Sequence, residues 1–327
     1  MSTGSETGRR NAQRIVKTIW KYPMISRGEI ADRLKLERST ITLQVSRLLD
    51  IGLVSELSEG RAGPNGGRRP IQLGINKNYG YVVGIESRSD SYSAVAMNMA
   101  GDTLRYMREY RPLSSRSTPA AFAEEVESLV RSFAEELDPD GRLRGIGLAA
   151  GSDTPFGVGE LISERLGLPV AVATGAQCCA WGELAFRKAD GPTNFLFTLI
   201  RLRDEGNGLV PHARTDLDLG IVIDGKVHAG SDLSPVQPRG AYRSPSALAR
   251  HLALFANAFV FDTVYVGGDI GLFGEGFLKA LENEMARART LPSVVPRKAA
   301  YATLGDRAVA YGAAGMQIYR IFSRIES

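Results

Sequence analysis

The chain has 327 residues, enough for two or three domains with cores of their own, and its 43% hydrophobic and 23% charged residues are typical of a globular protein. Its longest apolar stretch, 252–261, is interrupted by Asn257 and has about half the length of a membrane span, and the N-terminus lacks the apolar core of a secretory signal, so we expect a cytoplasmic protein without a membrane segment. The two cysteines, Cys178 and Cys179, are neighbours, which excludes a disulfide framework and a cysteine-rich zinc site.

The charge is unevenly divided along the chain. Residues 1–80 contain 14 Lys and Arg against 7 Asp and Glu, a net charge of +7, whereas the remainder contains 26 against 29, a net charge of −3. A basic head on a slightly acidic body indicates that the head contacts a polyanion. The alternative is a basic face that is only solvated.

The N-terminal segment has the periodicity of three helices followed by strands. The capping-box pair Ser26 and Glu29 begins the short second helix, and Gly52 follows the third, where a residue with positive φ is favoured. The apolar faces are formed by Ala12, Ile15, Val16, Ile19 and Trp20 in the first helix and by Ile41, Val45, Leu48 and Leu49 in the third. The strands LVSEL and PIQLGI then flank a basic, glycine-rich loop. This pattern predicts a winged helix-turn-helix domain over residues 1–78.

The third helix and the loop carry the candidate contacts to double-stranded DNA. The N-terminal residues of such a helix reach base edges in the major groove, and basic residues of a wing reach phosphates or the minor groove. The candidates are Arg38, Ser39, Thr40, Thr42, Leu43 and Arg47 on the helix and Arg61, Arg68 and Arg69 on the wing. The alternative is a winged helix that contacts only proteins, against which the concentrated positive charge argues.

From about residue 80 the pattern changes to alternating strands and helices. Three strands that turn at Gly101 come first, and Thr118 and Pro119 begin a helix over 119–137. The series of three strands followed by alternating strands and helices occurs twice, which predicts two related α/β lobes within residues 79–327. Asp224–Gly225 is the expected turn of the second hairpin. The expected closing helices are 244–261, about 273–289 and 306–323.

The stretch VATGAQCCAWGE, residues 172–183, marks one strand-to-helix turn. Thr174 and Gln177 have capping-box spacing, and the two cysteines are interpreted as small buried residues of the helix.

Several stretches resemble, in their order and spacing, the ROK family of repressors and sugar kinases. They are LERSTITLQVSRLLDIGLV, GGRRPIQLGIN, YVVGIE, GIGLAA, ERLGLPVAV, GIVIDGKVHAG, VYVGGD and AVAYGAAGM. The resemblance implies a winged helix-turn-helix head on a two-lobed actin-like (RNase H-like, sugar-kinase-like) α/β body. It further implies a sequence-specific DNA-binding transcriptional regulator, expected to be a repressor. A sugar or sugar-phosphate effector in the cleft between the lobes, and a homodimer or homotetramer, are implied as well.

The chain departs from the kinases of this family at three places. Glu86 is followed by SRSD where those kinases carry a Gly-Gly-Thr phosphate loop, and their Asn-Asp pair, whose Asp is the catalytic base, falls on Thr174 and Gly175. After the hairpin, GSDLSPVQPRGAYRSPSAL replaces their Glu-x-Gly-His motif and zinc loop. We therefore expect no catalytic residue, no cofactor and no metal. His212, His228 and His251 are interpreted as non-ligands, and Gly267 and Gly268 as a structural turn.

Other functions stay open at this point. An ATP-dependent sugar kinase with an appended head is an alternative, against which Gly175 argues. A body that serves as an assembly platform is another, because the helices 244–261 and 306–323 are apolar enough for subunit contacts as well as core. Because the sugar motif is missing, two alternatives stay open. The protein binds a different effector, or it binds DNA constitutively without an effector.

Overall fold

The head is a three-helix domain with a small antiparallel sheet. In the computed structural model, the described residues are 6–59, 69–114, 118–137, 142–151, 154–187, 191–203, 214–228, 245–259, 261–270, 274, 276–287 and 297–325. The elements of the head are α1 Glu6–Lys21, β1 Ile25–Ser26, α2 Arg27–Leu34, α3 Arg38–Asp50, β2 Val54–Glu59 and β3 Ile71–Ile75, with the sheet order β1-β3-β2. The predicted capping box is confirmed, since Ser26 Oγ accepts from Glu29 N and the Glu29 carboxylate accepts from Ser26 N. Gly52 has the expected positive φ of 74°.

The first lobe has one five-stranded sheet with two helices. Its elements are β4 Tyr81–Ser87, β5 Tyr92–Asn98, β6 Thr103–Glu109, α4 Pro119–Leu137, β7 Leu143–Ala150, α5 Val158–Leu166 and β8 Val170–Thr174. The sheet order is β6-β5-β4-β7-β8, with the hairpin strands antiparallel and β4, β7 and β8 parallel. Thr118 caps α4 as predicted, its hydroxyl accepting from Ala121 N at 3.3 Å.

The second lobe repeats this arrangement. Its elements are α6 Gly175–Phe186, β9 Phe195–Arg203, β10 Arg214–Ile223, β11 Lys226–His228, α7 Pro245–Ala258, β12 Thr263–Gly268, α8 Phe277–Arg287, β13 Lys298–Tyr301 and α9 Ala308–Phe322. The sheet order, β11-β10-β9-β12-β13, follows the same rule of third, second, first, fourth and fifth strand. The prediction of two related lobes is thus confirmed. Among the described helices, none is long and apolar enough to cross a bilayer.

The body is layered around two central helices. One face of the first sheet packs against α4 and α5, and one face of the second sheet packs against α7 and α8. Between the sheets lie α9, on the first sheet, and α6, on the second, with the two helices packed against each other. Most of α9 is buried between the sheets, so this apolar helix belongs to the core of the body.

Glycines permit the close packing of the central helices. A Cβ at Gly312 of α9 would lie 1.8 Å from the carbonyl oxygen of Cys178 in α6, and a Cβ at Gly147 would lie 1.9 Å from that of Ala313. Backbone therefore meets backbone where α9 crosses α6 and where it lies on β7. Only glycine fits at these two positions without a shift of the main chain.

The head and the body share one hydrophobic core. Ile15, Val16 and Ile19 of α1 belong to the same buried cluster as Val82 of β4 and Ile318 of α9. Trp20 extends this contact, since its ring lies edge-on to Phe322, with 5.5 Å between the ring centroids, and edge-on to Phe186 at 6.1 Å. Side-chain packing is therefore continuous across the junction between β3 and β4.

Candidate nucleic-acid interface and the cleft between the lobes

Helix α3 presents a polar face to the solvent. Its opposite face buries Ile41, Val45 and Leu48 in the core of the head. The candidate contact residues on the outer face are Arg38, Ser39, Thr42, Leu43 and Arg47, all exposed, and Thr40, which is half-buried. Leu43 is an apolar side chain with 53% of its surface exposed, which suits contact with a thymine methyl group. The helix thus offers guanidinium, hydroxyl and methyl groups on one accessible face.

The N-terminal end of α3 leaves backbone donors accessible. Glu37 is the N-cap residue and makes no side-chain capping bond, unlike Ser26 at the start of α2. A turn through Lys35, whose φ is 54°, separates the two helices. The free amides of such a helix start favour a phosphate in front of it.

The wing is described in part. Arg69 lies 3.9 Å from Glu59, and both side chains are more than 60% exposed, so the pair is weak and can be exchanged for a phosphate contact. Arg61 and Arg68 lie outside the described residues. Arg27 of α2 pairs with Glu56 of β2 at 3.1 Å, which holds the second helix to the base of the wing.

Ion pairs cross the cleft between the lobes. Arg201 of β9 binds the carboxylate of Glu86 of β4, which also accepts from Ser93 Oγ at 3.1 Å. Arg88 lies 3.3 Å from Asp269, which follows β12. Burial alone would lower the pKa of Arg88, but the carboxylates around it, Asp269 first, raise that pKa above its ordinary value. Both arginines thus bridge the two lobes.

A carboxylate from the second lobe binds the start of α6. Asp218 of β10 accepts from Ala176 N at 2.7 Å and from Thr174 Oγ1 at 3.0 Å. The same carboxylate lies close to Gly175, since a Cβ added there would be 3.6 Å from Asp218 Oδ2. Burial raises the pKa of Asp218, although the hydrogen bonds from Ala176 and Thr174 oppose this effect. The capping box of Thr174 and Gln177 is confirmed beside it.

The cysteines and the glycine pair have structural roles. Cys178 and Cys179 are buried, as predicted, and burial raises the pKa of each thiol well above its usual value. Both are therefore poor nucleophiles. Gly268 has a φ of 93°, and a Cβ there would lie 2.0 Å from the carbonyl oxygen of Ile200, so its structural interpretation is confirmed.

Among the described residues, no group of three His, Cys, Asp or Glu side chains is arranged to hold a metal ion. His251 stacks on Phe255, with 5.4 Å between the ring centroids. His212 lies outside the described residues, as does most of the segment after β11.

The residues of the cleft were only partly visible in the sequence. Glu86 stands out as an acid in an apolar strand, but its partner Arg201 is 115 residues away along the chain. Asp218 carried one signal, since it lies between two leucines directly before the predicted strand LGIVIDGKVHAG. A buried acid in a strand requires a donor nearby, which points to a partner without identifying it.

Curated proteins with similar sequences are xylose repressors. The chain is 26% identical to the xylose repressor of Bacillus subtilis (strain 168) over 237 residues, which are 67% of this chain and 57% of the repressor. It is 38% identical to the xylose repressor of Staphylococcus xylosus over 81 residues, 25% of this chain and 21% of that protein. The chain thus spans little more than half the length of the first of these relatives. No family model matches the chain.

Solved structures of the same fold include a regulator and a kinase. A ROK family transcriptional regulator, a homologue of the Escherichia coli Mlc protein, superposes with a TM-score of 0.70 and 17% identity over 97% of this chain and 98% of that chain. A ROK family glucokinase from Streptomyces griseus in complex with glucose and AMPPNP gives a TM-score of 0.53 and 17% identity over 72% of this chain and 99% of that chain. The chain is thus similar in sequence to xylose repressors and shares its fold with a ROK family regulator and a ROK family glucokinase.

Proposed function

We propose that the protein is a sequence-specific DNA-binding transcriptional regulator, and a repressor, whose head reads the major groove with α3. The observation that carries this proposal is the exposed face of α3, with Arg38, Ser39, Thr42 and Arg47 turned away from a well-packed core. The net charge of +7 over residues 1–80 supplies the attraction to a polyanion. The similarity to xylose repressors supports the same function.

The roles of the contact residues follow from their chemistry. Arg47 and Arg38 offer bidentate donors to guanine or a phosphate, whereas Ser39, Thr40 and Thr42 offer short hydroxyls to base edges or phosphates. Arg69, with Arg61 and Arg68 of the same loop, is proposed to contact the phosphate backbone beside the recognition site. The domain boundary that we propose, between residues 78 and 79, separates this head from the body.

We further propose that the regulator binds as a two-fold dimer, or as a tetramer built from such dimers. Two heads related by a two-fold axis read two half-sites about 34 Å apart, one turn of the DNA helix. The surface of α7 suits subunit contact, because Leu254 is 59% exposed on the outer side of the second lobe.

Selection of bound sequences from random duplex DNA tests the proposal with the full chain. We expect an inverted repeat to be enriched, and an affinity for it that falls steeply with salt. Replacing Arg47 with Ala should weaken binding by about 1–3 kcal/mol, since a bidentate contact is lost. The matched control is Arg131→Ala on the exposed side of α4, which should bind as the unchanged protein does. Failure to enrich any sequence would refute the proposal.

The kinase alternative requires a base and a place for nucleotide phosphates. At the start of α6, Gly175 has no side chain, and the nearby carboxylate of Asp218 is engaged by two donors. We therefore propose a body without phosphoryl-transfer activity. Sugar-dependent ATP turnover that disappears in Asp218→Asn would support the kinase instead.

A sugar or sugar-phosphate effector in the interlobe cleft remains a proposal that rests on the family resemblance. Ligand entry there would have to separate Glu86 from Arg201 or Arg88 from Asp269. An effector of this kind would therefore act by changing the angle between the lobes.

A further inference from the structure

A pocket lies where the head meets the body, away from the interlobe ion pairs. Its volume is about 230 Å³, and α1, α6 and α9 form its walls. The aromatic side chains around it are Trp20, Tyr22, Trp181, Phe195 and Tyr319. Its volume is below the range of about 300–1,000 Å³ that is usual for drug-sized ligands, so the occupant must be small.

The pocket walls carry flat aromatic faces. Trp181 and Tyr319 lie side by side, with ring centroids 4.6 Å apart and an angle of 47° between the rings. Both rings are half-buried, so part of each faces the pocket. Such faces stack on sugar rings and on aromatic rings with little loss of side-chain entropy. The walls therefore suit a ligand with one flat, weakly polar face.

Cations dominate the charge of the pocket. Lys17, Lys21 and Arg187 line it, against one carboxylate, that of Glu183. The Glu183 carboxylate is already occupied, since it accepts from Thr303 N and from Thr303 Oγ1, each at 2.7 Å. Three cations against one acid leave the walls with a net positive charge, so the pocket attracts anions.

Two of these cations are held in a partly dry position. The Lys17 ammonium lies 3.9 Å from the centre of the Tyr319 ring, and burial lowers the pKa of Lys17. The Arg187 guanidinium lies 4.9 Å from the centre of the Tyr265 ring, and its buried Nη1 has no hydrogen-bond partner among the described residues. A cation held in a partly dry position attracts an anion more strongly than one in open water.

We propose that this pocket binds a small organic anion, a phosphorylated or carboxylated metabolite with one flat face, whose anionic group is held by Lys17 and Arg187. The site is distinct from the cleft between the lobes. Its ligand contacts α1 at Lys17 and Lys21, and the opposite side of α1 packs against α3 through Ile15, Val16 and Ile19. The ligand therefore acts on the element that supports the recognition helix. This second step rests on the proposed DNA-binding function, whereas ligand binding itself does not.

Intrinsic tryptophan fluorescence reports binding directly. The chain has two tryptophans, and Trp20 and Trp181 both line the pocket. The full chain, without DNA, is titrated with glucose 6-phosphate, phenyl phosphate, inorganic phosphate and glucose. We expect a saturable change with at least one of the first two probes, and binding at least tenfold weaker for inorganic phosphate and for glucose.

Substitutions localise the binding. Lys17→Gln and Arg187→Gln should each raise the Kd at least tenfold, whereas Lys279→Gln, on the exposed side of α8, should leave it unchanged. Circular dichroism and the Tm establish whether each variant is folded. If Arg187→Gln does not fold, the test uses Lys17→Gln alone. The absence of a saturable change with both organic phosphates, or an unchanged Kd in Lys17→Gln, would overturn the proposal.

The two proposals fail separately. If a probe binds by fluorescence but no DNA sequence is selected, the ligand site is supported and the DNA-binding function is refuted. If a DNA sequence is selected but no probe binds, the DNA-binding function is supported and the ligand site is refuted. If both hold, adding the bound probe should change the Kd for the selected DNA, and Lys17→Gln should abolish this change.

Discussion

Asp218 shows how one side chain can replace another at a strand-to-helix turn. The family resemblance places a catalytic Asp at residue 175, where this chain has glycine. The carboxylate of Asp218 enters the same region from β10 and binds Ala176 N and Thr174 Oγ1. A carboxylate at a helix start is favoured by the free amides and by the helix dipole. The start of α6 thus has a carboxylate bound to it, although residue 175 is glycine.

The raised pKa of Asp218 makes a prediction about pH. The folded protein holds this proton more tightly than the unfolded chain does, so stability falls as the pH rises from the ordinary pKa of the group to its raised value. Asp218→Asn removes this titration. We expect the Tm of the variant, relative to the unchanged protein, to rise with pH across that interval. Asp224→Asn, in the exposed hairpin turn, serves as the control for the loss of a surface carboxylate.

At the scale of elements, the crossing of α6 and α9 depends on Gly312. Alanine at this position would gain about 1 kcal/mol of helix propensity. Its Cβ, however, would lie 1.8 Å from the carbonyl oxygen of Cys178, which cannot move without α6. Overpacking of this kind costs about 1–3 kcal/mol, so the clash outweighs the propensity.

We therefore predict that Gly312→Ala lowers the free energy of unfolding, measured with urea, by up to about 2 kcal/mol, which is the cost of the clash less the gain in propensity. Gly28→Ala in α2 is the matched control, because the nearest atom to its Cβ is 4.0 Å away. That variant should be neutral or slightly more stable. Equal stability of the two variants would contradict the packing argument.

The elements that sequence predicted well are those with local signals. The capping boxes at Ser26 and Thr174 and the turn at Asp224–Gly225 depend on residues within a few positions, and each is present. By contrast, β13 was not predicted, since KAAY is four residues long and becomes a strand only by pairing with β12. The sequence also left open whether α9 serves as core or as a subunit contact. An apolar helix has the same sequence pattern whether it is covered by its own chain or by a second one.

At the scale of the whole molecule, the ion pairs across the cleft fix the relation of the two lobes. The Glu86 side chain is 8% exposed and that of Arg201 is 21% exposed, so the pair is largely removed from water. Removing one member of such a pair leaves an uncompensated buried charge, at a cost of about 3–5 kcal/mol. These contacts could not be predicted from sequence, because each joins residues of different lobes.

We predict that Arg201→Met lowers the free energy of unfolding by about 3 kcal/mol, and that Glu86→Gln added to it recovers most of the loss. A double-mutant cycle with urea unfolding measures both effects. The surface variant Arg131→Met should be close to the unchanged protein. Additive losses in the cycle would show that the two residues do not act as a pair.

The shared core of head and body limits the spacing between the two DNA half-sites that a dimer can bind. A DNA-binding head on a flexible linker could bind half-sites at many separations. Here Ile15, Val16 and Ile19 are packed with Val82 and Ile318, so each recognition helix is rigidly mounted on its body. In the proposed two-fold dimer, the residues of α3 therefore determine which base sequence is bound. The contacts between the two bodies determine the spacing of the half-sites.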